Sequence, residues 1–205
     1  NPELYFQTKL YTGNGSNSHA ITFDGSENMQ PDWVWIKDRG TNSHRLTDSV
    51  RGATKVLYSD LNYAEATDSD TIQSFDSNGF TIDDDADTNG NGQNFASWNW
   101  KAGGSASSNS DGSITTSVSA NTTAGFSIVS WTGNGTDGAS IGHGLVNPNL
   151  CIIKRRDASG HSWFTGGYPN TSLFANDGDH LNLDSINGLS NSSTKEIDLS
   201  TDSGT

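Results

Sequence analysis

Between Asp83 and Gly92 the chain reads Asp-Asp-Asp-Ala-Asp-Thr-Asn-Gly-Asn-Gly. Asp85, Asp87 and Asn89 fall at alternate positions, with Gly90 and then Asn91 behind them. That is the first half of a calcium loop, in which alternate oxygens converge on one hard cation and a glycine permits the turn. The position that should close the shell with a bidentate Glu is Ala96, and the flanks read as strands. Asp85, Asp87, Asn89 and Asn91 are therefore candidate calcium ligands, and an acidic solvated loop is the competing reading. Calcium is the one cofactor the residues suggest.

Other chemistries find less to work with. The five histidines, His19, His44, His143, His161 and His180, have none of the close pairings of a zinc site. There is no Gly-x-Ser-x-Gly elbow for a nucleophilic serine. Of the 24 acidic residues only four are Glu, and no spacing singles out a pair of Asp for acid–base work. Asp48 and Arg51, three apart, read as a local pair pinning the turn at Gly52, and Lys37 and Arg39 as partners for nearby Asp residues. Exposed Trp or Tyr beside Asp and Asn would suit sugar binding, but each Trp lies in a strand-like run, which favours core packing. Five Asn-x-Ser/Thr sequons, at Asn14, Asn121, Asn134, Asn170 and Asn191, are what chance gives in so polar a chain.

The elements that must position these residues are strands. The chain has 205 residues and a net charge of −13, and Leu, Ile, Val and Phe total only 37. Those values would suit disorder, were the apolar residues not clustered and six Trp and eight Phe not present. The excess of Asp over Glu argues against helices, since Asp favours caps and turns. An acidic surface repels phosphate backbones and anionic membrane surfaces, so neither is an expected partner; no apolar run reaches the ~18 residues of a membrane span, so no membrane insertion is expected. Cys151 is the only cysteine, so an intrachain disulfide is excluded; its apolar neighbours suggest a buried site.

Alternating or apolar runs between turn signals predict strands at Thr8–Tyr11, His19–Phe23, Asp32–Asp38, Arg45–Asp48, Thr54–Tyr58, Thr71–Phe75, Phe80–Ile82 and Phe95–Lys101. Further runs predict Phe126–Trp131, Ala139–Ile141, Leu150–Arg155, Ser162–Thr165 and Ser172–Ala175, with a helical turn over Ser59–Ala66. In the run ending at Trp100, the alternation predicts Trp98 and Trp100 facing inward and Ser97 and Asn99 facing solvent.

The chain also repeats itself. Tyr11-Thr12-Gly13-Asn14-Gly15 returns as Trp131-Thr132-Gly133-Asn134-Gly135, 120 residues on. Pro31–Arg39 returns as Pro148–Arg156, 117 residues on. So long a period excludes a solenoid and points to duplicated β modules. The expected organisation is a first module over 1–104, a Gly/Ser connector over 105–112 (within the run Gly103–Gly112), and a second module over 113–205. The second lacks a counterpart of the strand ending at Trp100, so the natural polypeptide is expected to continue or another chain to complete the sheet. The start at Asn1 suggests a fragment, and Leu4-Tyr5-Phe6-Gln7 is similar to a cleaved-tag remnant.

Taken together, several segments resemble an uncharacterised domain family of tailed, especially marine, bacteriophages. They are Tyr11–Gly15, Gln30–Lys37, Asp48–Lys55, Ser74–Phe80, Trp98–Gly104, Asp111–Ile114, Ser119–Val129 and Ile141–Leu145. The resemblance implies an all-β, concanavalin-like or jelly-roll sandwich in tail fibres, appendages or capsid decorations at the virion surface, extracellular after release. It implies a non-enzymatic structural part that serves host attachment, a homo-oligomer (a trimer first) among other virion proteins, and no catalytic residues. A carbohydrate-binding lectin module, meeting a host surface glycan, and a polysaccharide depolymerase are the alternatives. The first needs an exposed aromatic beside Asp or Asn, the second opposed carboxylates in a cleft.

Overall fold

In a computed structural model, residues 1–136, 139–146, 148, 150–160 and 163–167 are described, together with 180–182. The strands are β1 (Phe6–Thr12), β2 (His19–Thr22), β3 (Trp33–Asp38), β4 (Arg45–Asp48), β5 (Lys55–Val56), β6 (Ala66–Thr67), β7 (Ile72–Asp76), β8 (Gly79–Ile82) and β9 (Asn94–Trp100). They continue with β10 (Ser107–Asn109), β11 (Thr116–Asn121), β12 (Phe126–Ser130), β13 (Ser140–Gly142), β14 (Leu150–Ile153), β15 (Phe164–Gly167) and β16 (His180–Asn182). One short helix, α1 (Ala86–Asn89), precedes β9.

The first half is a sandwich of antiparallel sheets. One sheet has the order β1-β9-β3-β4 and the other β2-β8-β7. β9 lies between β1 and β3, so Trp100 pairs with both Phe6 and Trp33 and Trp98 with both Thr8 and Trp35. Between the sheets lie Ile21, Phe23, Met29, Val34, Ile36, Ile72, Phe80, Ile82 and Phe95, all buried. Each such side chain removed from water contributes on the order of 2 kcal/mol. Tyr11 stacks on Phe95 at 5.1 Å between ring centroids, and its hydroxyl donates to the Thr88 carbonyl at 2.7 Å, tying β1 to α1. Burial raises the Tyr11 phenol well above its ordinary pKa, so it stays a donor.

The faces of β9 and β3 are the reverse of the sequence expectation for β9. Ser97 and Asn99 are buried, and Trp98, Trp100, Trp33 and Trp35 are half-buried on the opposite face. A buried amide is tolerable because it is bonded: Asn99 Nδ2 donates to the Gln7 carbonyl and to Ser97 Oγ, both at 3.0 Å.

The second half packs on that indole face. β10-β11-β12 form a three-stranded sheet, β13 pairs with β16, and β14 with β15. Phe126 stacks on Trp100 at 6.1 Å and meets Trp33 edge-on at 6.4 Å. The run read as a connector carries strand β10, paired to β11. Its start is bonded to both halves, with Gly103 N donating to Ser119 Oγ at 2.9 Å and Gly104 N to Asp32 Oδ2 at 3.2 Å. Asp32 also accepts from Ala102 N at 2.8 Å and from Ser49 Oγ at 2.9 Å.

One further local expectation fails. Residues 59–65 form no helix but bends leading to β6, because their bonds go outward: Glu65 N donates to the Arg156 carbonyl and Ala64 N to Ser159 Oγ. The tag-like Phe6-Gln7 belongs to β1, where Gln7 is buried and Nε2 donates to the carbonyls of Glu3 and Glu27 at 2.9 and 2.7 Å. Ser172–Ala175 and the end of the second module, Ser200–Thr205, lie outside the described residues, as do Asn170 and Asn191.

Candidate functional site

The four candidate calcium ligands do not converge. Asp85 caps α1, its carboxylate accepting from Asp87 N at 2.8 Å. Asp87 pairs with the buried Arg45 guanidinium. Asn91 is exposed. Asn89, fully buried, is a pin: Oδ1 accepts from Asn14 N at 2.9 Å and faces His19 Nδ1 at 2.8 Å, while Nδ2 reaches the carbonyls of Ser16 and Asp83 at 2.9 and 2.8 Å. In this arrangement the Asp-x-Asp-x-Asn spacing forms a capped turn of helix. Among the described residues no group of three or more His, Cys, Asp or Glu is placed to hold a metal ion. Burial raises the Asp85 pKa; Arg45 opposes this, and Asp68 and Asp70 add to it.

The same pin holds the first copy of the repeated motif. Gly15 N donates to the Asn89 carbonyl at 2.8 Å, so Tyr11–Gly15 wraps α1. In both copies the Asn folds onto the residue two ahead: Asn14 Oδ1 accepts from Ser16 N at 2.9 Å and Asn134 Oδ1 from Thr136 N at 3.0 Å. Gly15 and Gly135 share a positive φ, 62° and 71°. The turn recurs while the pairing around it differs, since β1 pairs with β9 and β12 with β11.

Asp48 and Arg51 behave as expected. Arg51 Nε meets Asp48 Oδ2 at 2.5 Å, with both side chains nearly sealed from solvent at 4% and 3% exposure. The remaining donors reach Glu65 Oε2 at 3.1 Å and the carbonyls of Leu46 and Lys55, both at 3.2 Å. Asp48 Oδ1 accepts from the backbone N–H of Val50 and Arg51. Glu65 is shared with Arg156 of the second half at 3.2 Å. Lys37 departs from expectation: its ammonium donates to loop carbonyls, Asn42 at 2.8 Å among them, and not to an Asp carboxylate. Arg39 is exposed.

Of the histidines, His44 accepts the Trp35 indole N–H at Nδ1, 2.8 Å away, and His143 is buried with Nδ1 accepting from Leu145 N at 3.2 Å. Burial holds the His44 pKa below its ordinary value of 6.5, against the pull of Asp60 and with help from Lys37. His161 lies outside the described residues, and His180 is described by its strand pairing alone.

The feature that sequence reasoning missed is a cavity of about 750 Å³ between the indole face of the first sandwich and the second half. Trp33, Trp35 and Trp100 line one side, and Phe126, Trp131 and Ile153 the other. Cys151, expected to be buried, is half-buried on its wall. Thr122 and Ser127 bring hydroxyls to it. No Asp or Glu is among its described lining residues. The signal is present as Trp-Val-Trp and Trp-Asn-Trp, two strands with indoles on one face each, but alternation turns Trp98 and Trp100 inward and leaves Trp33-Val34-Trp35-Ile36 covered on both faces.

No curated protein and no solved structure matches the chain. A family model described as "Domain of unknown function (DUF7483)" matches residues 1–204, nearly the whole length, and the chain belongs to that family.

Proposed function

We propose that the chain is a non-enzymatic structural module of a tailed-phage virion surface, in a fibre, appendage or capsid decoration, serving attachment to the host. The observation that carries this reading is where the chemically capable side chains go. Asp85, Asp87 and Asn89 hold the β8–β9 connection, and Asp48, Arg51, Glu65 and Arg156 clamp the two halves. A hydrolytic mechanism would need opposed carboxylates at the cavity, and its described lining supplies none. The phage setting comes from the sequence resemblance. Assembly with neighbours, as a homo-oligomer or with other virion proteins, is supported by large apolar side chains left in water: Leu10, Val146 and Leu150 are 66%, 73% and 62% exposed. Apolar groups so placed are common where a partner sits.

Antibody raised against the chain should decorate the outside of intact particles from the source culture in immunogold micrographs, and sedimentation should show an oligomer, a trimer first. Unlabelled particles, or a monomer that releases reducing ends from a polysaccharide, would overturn this reading.

A further inference from the structure

The cavity between the halves combines two properties that rarely serve packing alone. Its indole rings are half-buried, so Trp33 and Trp131 keep ring surface at the cavity, while Trp100 is covered by Phe126 and Phe6. Three of the four lining indoles also keep their N–H groups unspent. The indole nitrogens of Trp35 and Trp163 donate to His44 Nδ1 and to the Tyr58 carbonyl, at 2.8 and 2.6 Å. Those of Trp33, Trp100 and Trp131 have no hydrogen-bond partner among the described residues, and none is sealed from solvent.

A purely apolar occupant would cover these donors without pairing them, and a desolvated donor left unpaired is costly. An anionic occupant would approach a chain of net charge −13 against its own field. A sugar ring has the matching surface: axial C–H bonds form an apolar face for an indole, and the hydroxyls around the edge accept hydrogen bonds. The volume lies within the range that holds a small ligand, and Thr122 and Ser127 add hydroxyls. We propose that this cavity binds an uncharged saccharide, stacked on Trp33 and Trp131 and accepting from the indole nitrogens of Trp33, Trp100 and Trp131. The inference rests on the attachment reading and gives it a ligand class.

The test begins with the full chain, fluorescently labelled, on an array of neutral glycans. The strongest binder is then titrated in solution against tryptophan emission. Binding should shift the emission and slow the reaction of Cys151 with N-ethylmaleimide. Trp131→Ala should weaken binding about tenfold, the loss of one stacked ring. Trp33→Phe, which keeps a ring and loses the N–H, should weaken it less. Tyr63→Ala removes an exposed ring outside the cavity and should leave binding unchanged, and far-UV circular dichroism checks that each variant folds. The wild-type emission and maleimide readings stand even if a variant does not fold.

Three results would overturn the inference: no neutral glycan retained, retention that Trp131→Ala does not affect, or decanol shifting the emission and protecting Cys151 where the saccharide does neither. None of these touches the attachment reading, which fails separately if intact particles go unlabelled.

Discussion

Replacing Asn89 by Ala tests whether the Asp-rich loop is a scaffold or a cation site. The side chain is wholly buried, and its bonds to Asn14 N, Ser16 O and Asp83 O measure 2.9, 2.9 and 2.8 Å. Each is worth about 1 kcal/mol net, and a buried partner left without its bond costs about 1–3 kcal/mol. Some of those partners would be reached by water through the exposed Asn14–Ser16 turn, so the loss should be about 3–5 kcal/mol. That is a large share of the ~5–15 kcal/mol that holds a domain of this kind. Urea unfolding followed by far-UV circular dichroism should show the midpoint falling while the slope m stays constant, the mark of a change in stability alone. The experiment is run in calcium and in EGTA. The scaffold reading expects the same loss in both and no effect of EGTA on the parent chain. A loss below ~1 kcal/mol, or a parent chain destabilised by EGTA, would refute it.

Three further outcomes follow from the geometry. Arg51→Met should lower stability by about 3–5 kcal/mol, because Asp48 is left buried and uncompensated; Arg51→Lys should rescue little, since one ammonium cannot serve Asp48, Glu65 and two carbonyls together. A thermal melt of both variants checks this, and full rescue by Lys would count against the network. His44 sets an acid limb. Its folded pKa is depressed, so its contribution is complete above the ordinary value of 6.5 and is lost as pH falls through the folded value. Tryptophan emission should change over the same window as the Trp35 hydrogen bond breaks, and His44→Gln should flatten that limb. Gly79 and Gly52 both have positive φ, 122° and 106°. A Cβ at Gly79 would collide with the Ile21 carbonyl, whereas one at Gly52 meets nothing within 4 Å. Gly52→Ala should therefore cost about 1–2 kcal/mol from the backbone alone, and Gly79→Ala clearly more, measured by urea titration.

How far the fold could be read depended on how each segment hides its apolar groups. β3, β4 and β9 announced themselves through Trp-Val-Trp-Ile, the Arg45–Asp48 run and Trp-Asn-Trp, and they form where expected. Their facing did not follow, because a sheet covered on both sides gives alternation no solvent to point at. Bulk was taken as the inward signal, yet the inner face of β9 is completed by Ser97 and Asn99 bonded within the sandwich. β11 was not anticipated, since Thr-Ser-Val-Ser-Ala-Asn carries one large apolar residue and owes its place to pairing with β10 and β12. The Asp85–Asn89 segment has two sequence readings for a chemical reason. A helix N-cap and a calcium loop both want carboxylates at short, even spacing, and only Arg45, forty residues upstream in β4, decides between them. The Asp48–Arg51 pair was legible because both partners lie within one turn. The cavity was not, because its walls come from halves of the chain that only the fold brings together.

The division of aromatic residues between the two interfaces gives the molecule two separate optical signals. The interior of the first sandwich holds Phe23, Phe80 and Phe95 but no indole, while Trp33, Trp35 and Trp100 face the second half. Tryptophan emission therefore watches how the halves seat against each other and is nearly blind to the centre of the sandwich, which far-UV and tyrosine signals must follow instead. Should the halves part before the sandwich melts, the two signals would separate into successive transitions. A single-wavelength unfolding curve recorded on the indoles would then measure the joint and be mistaken for the stability of the whole.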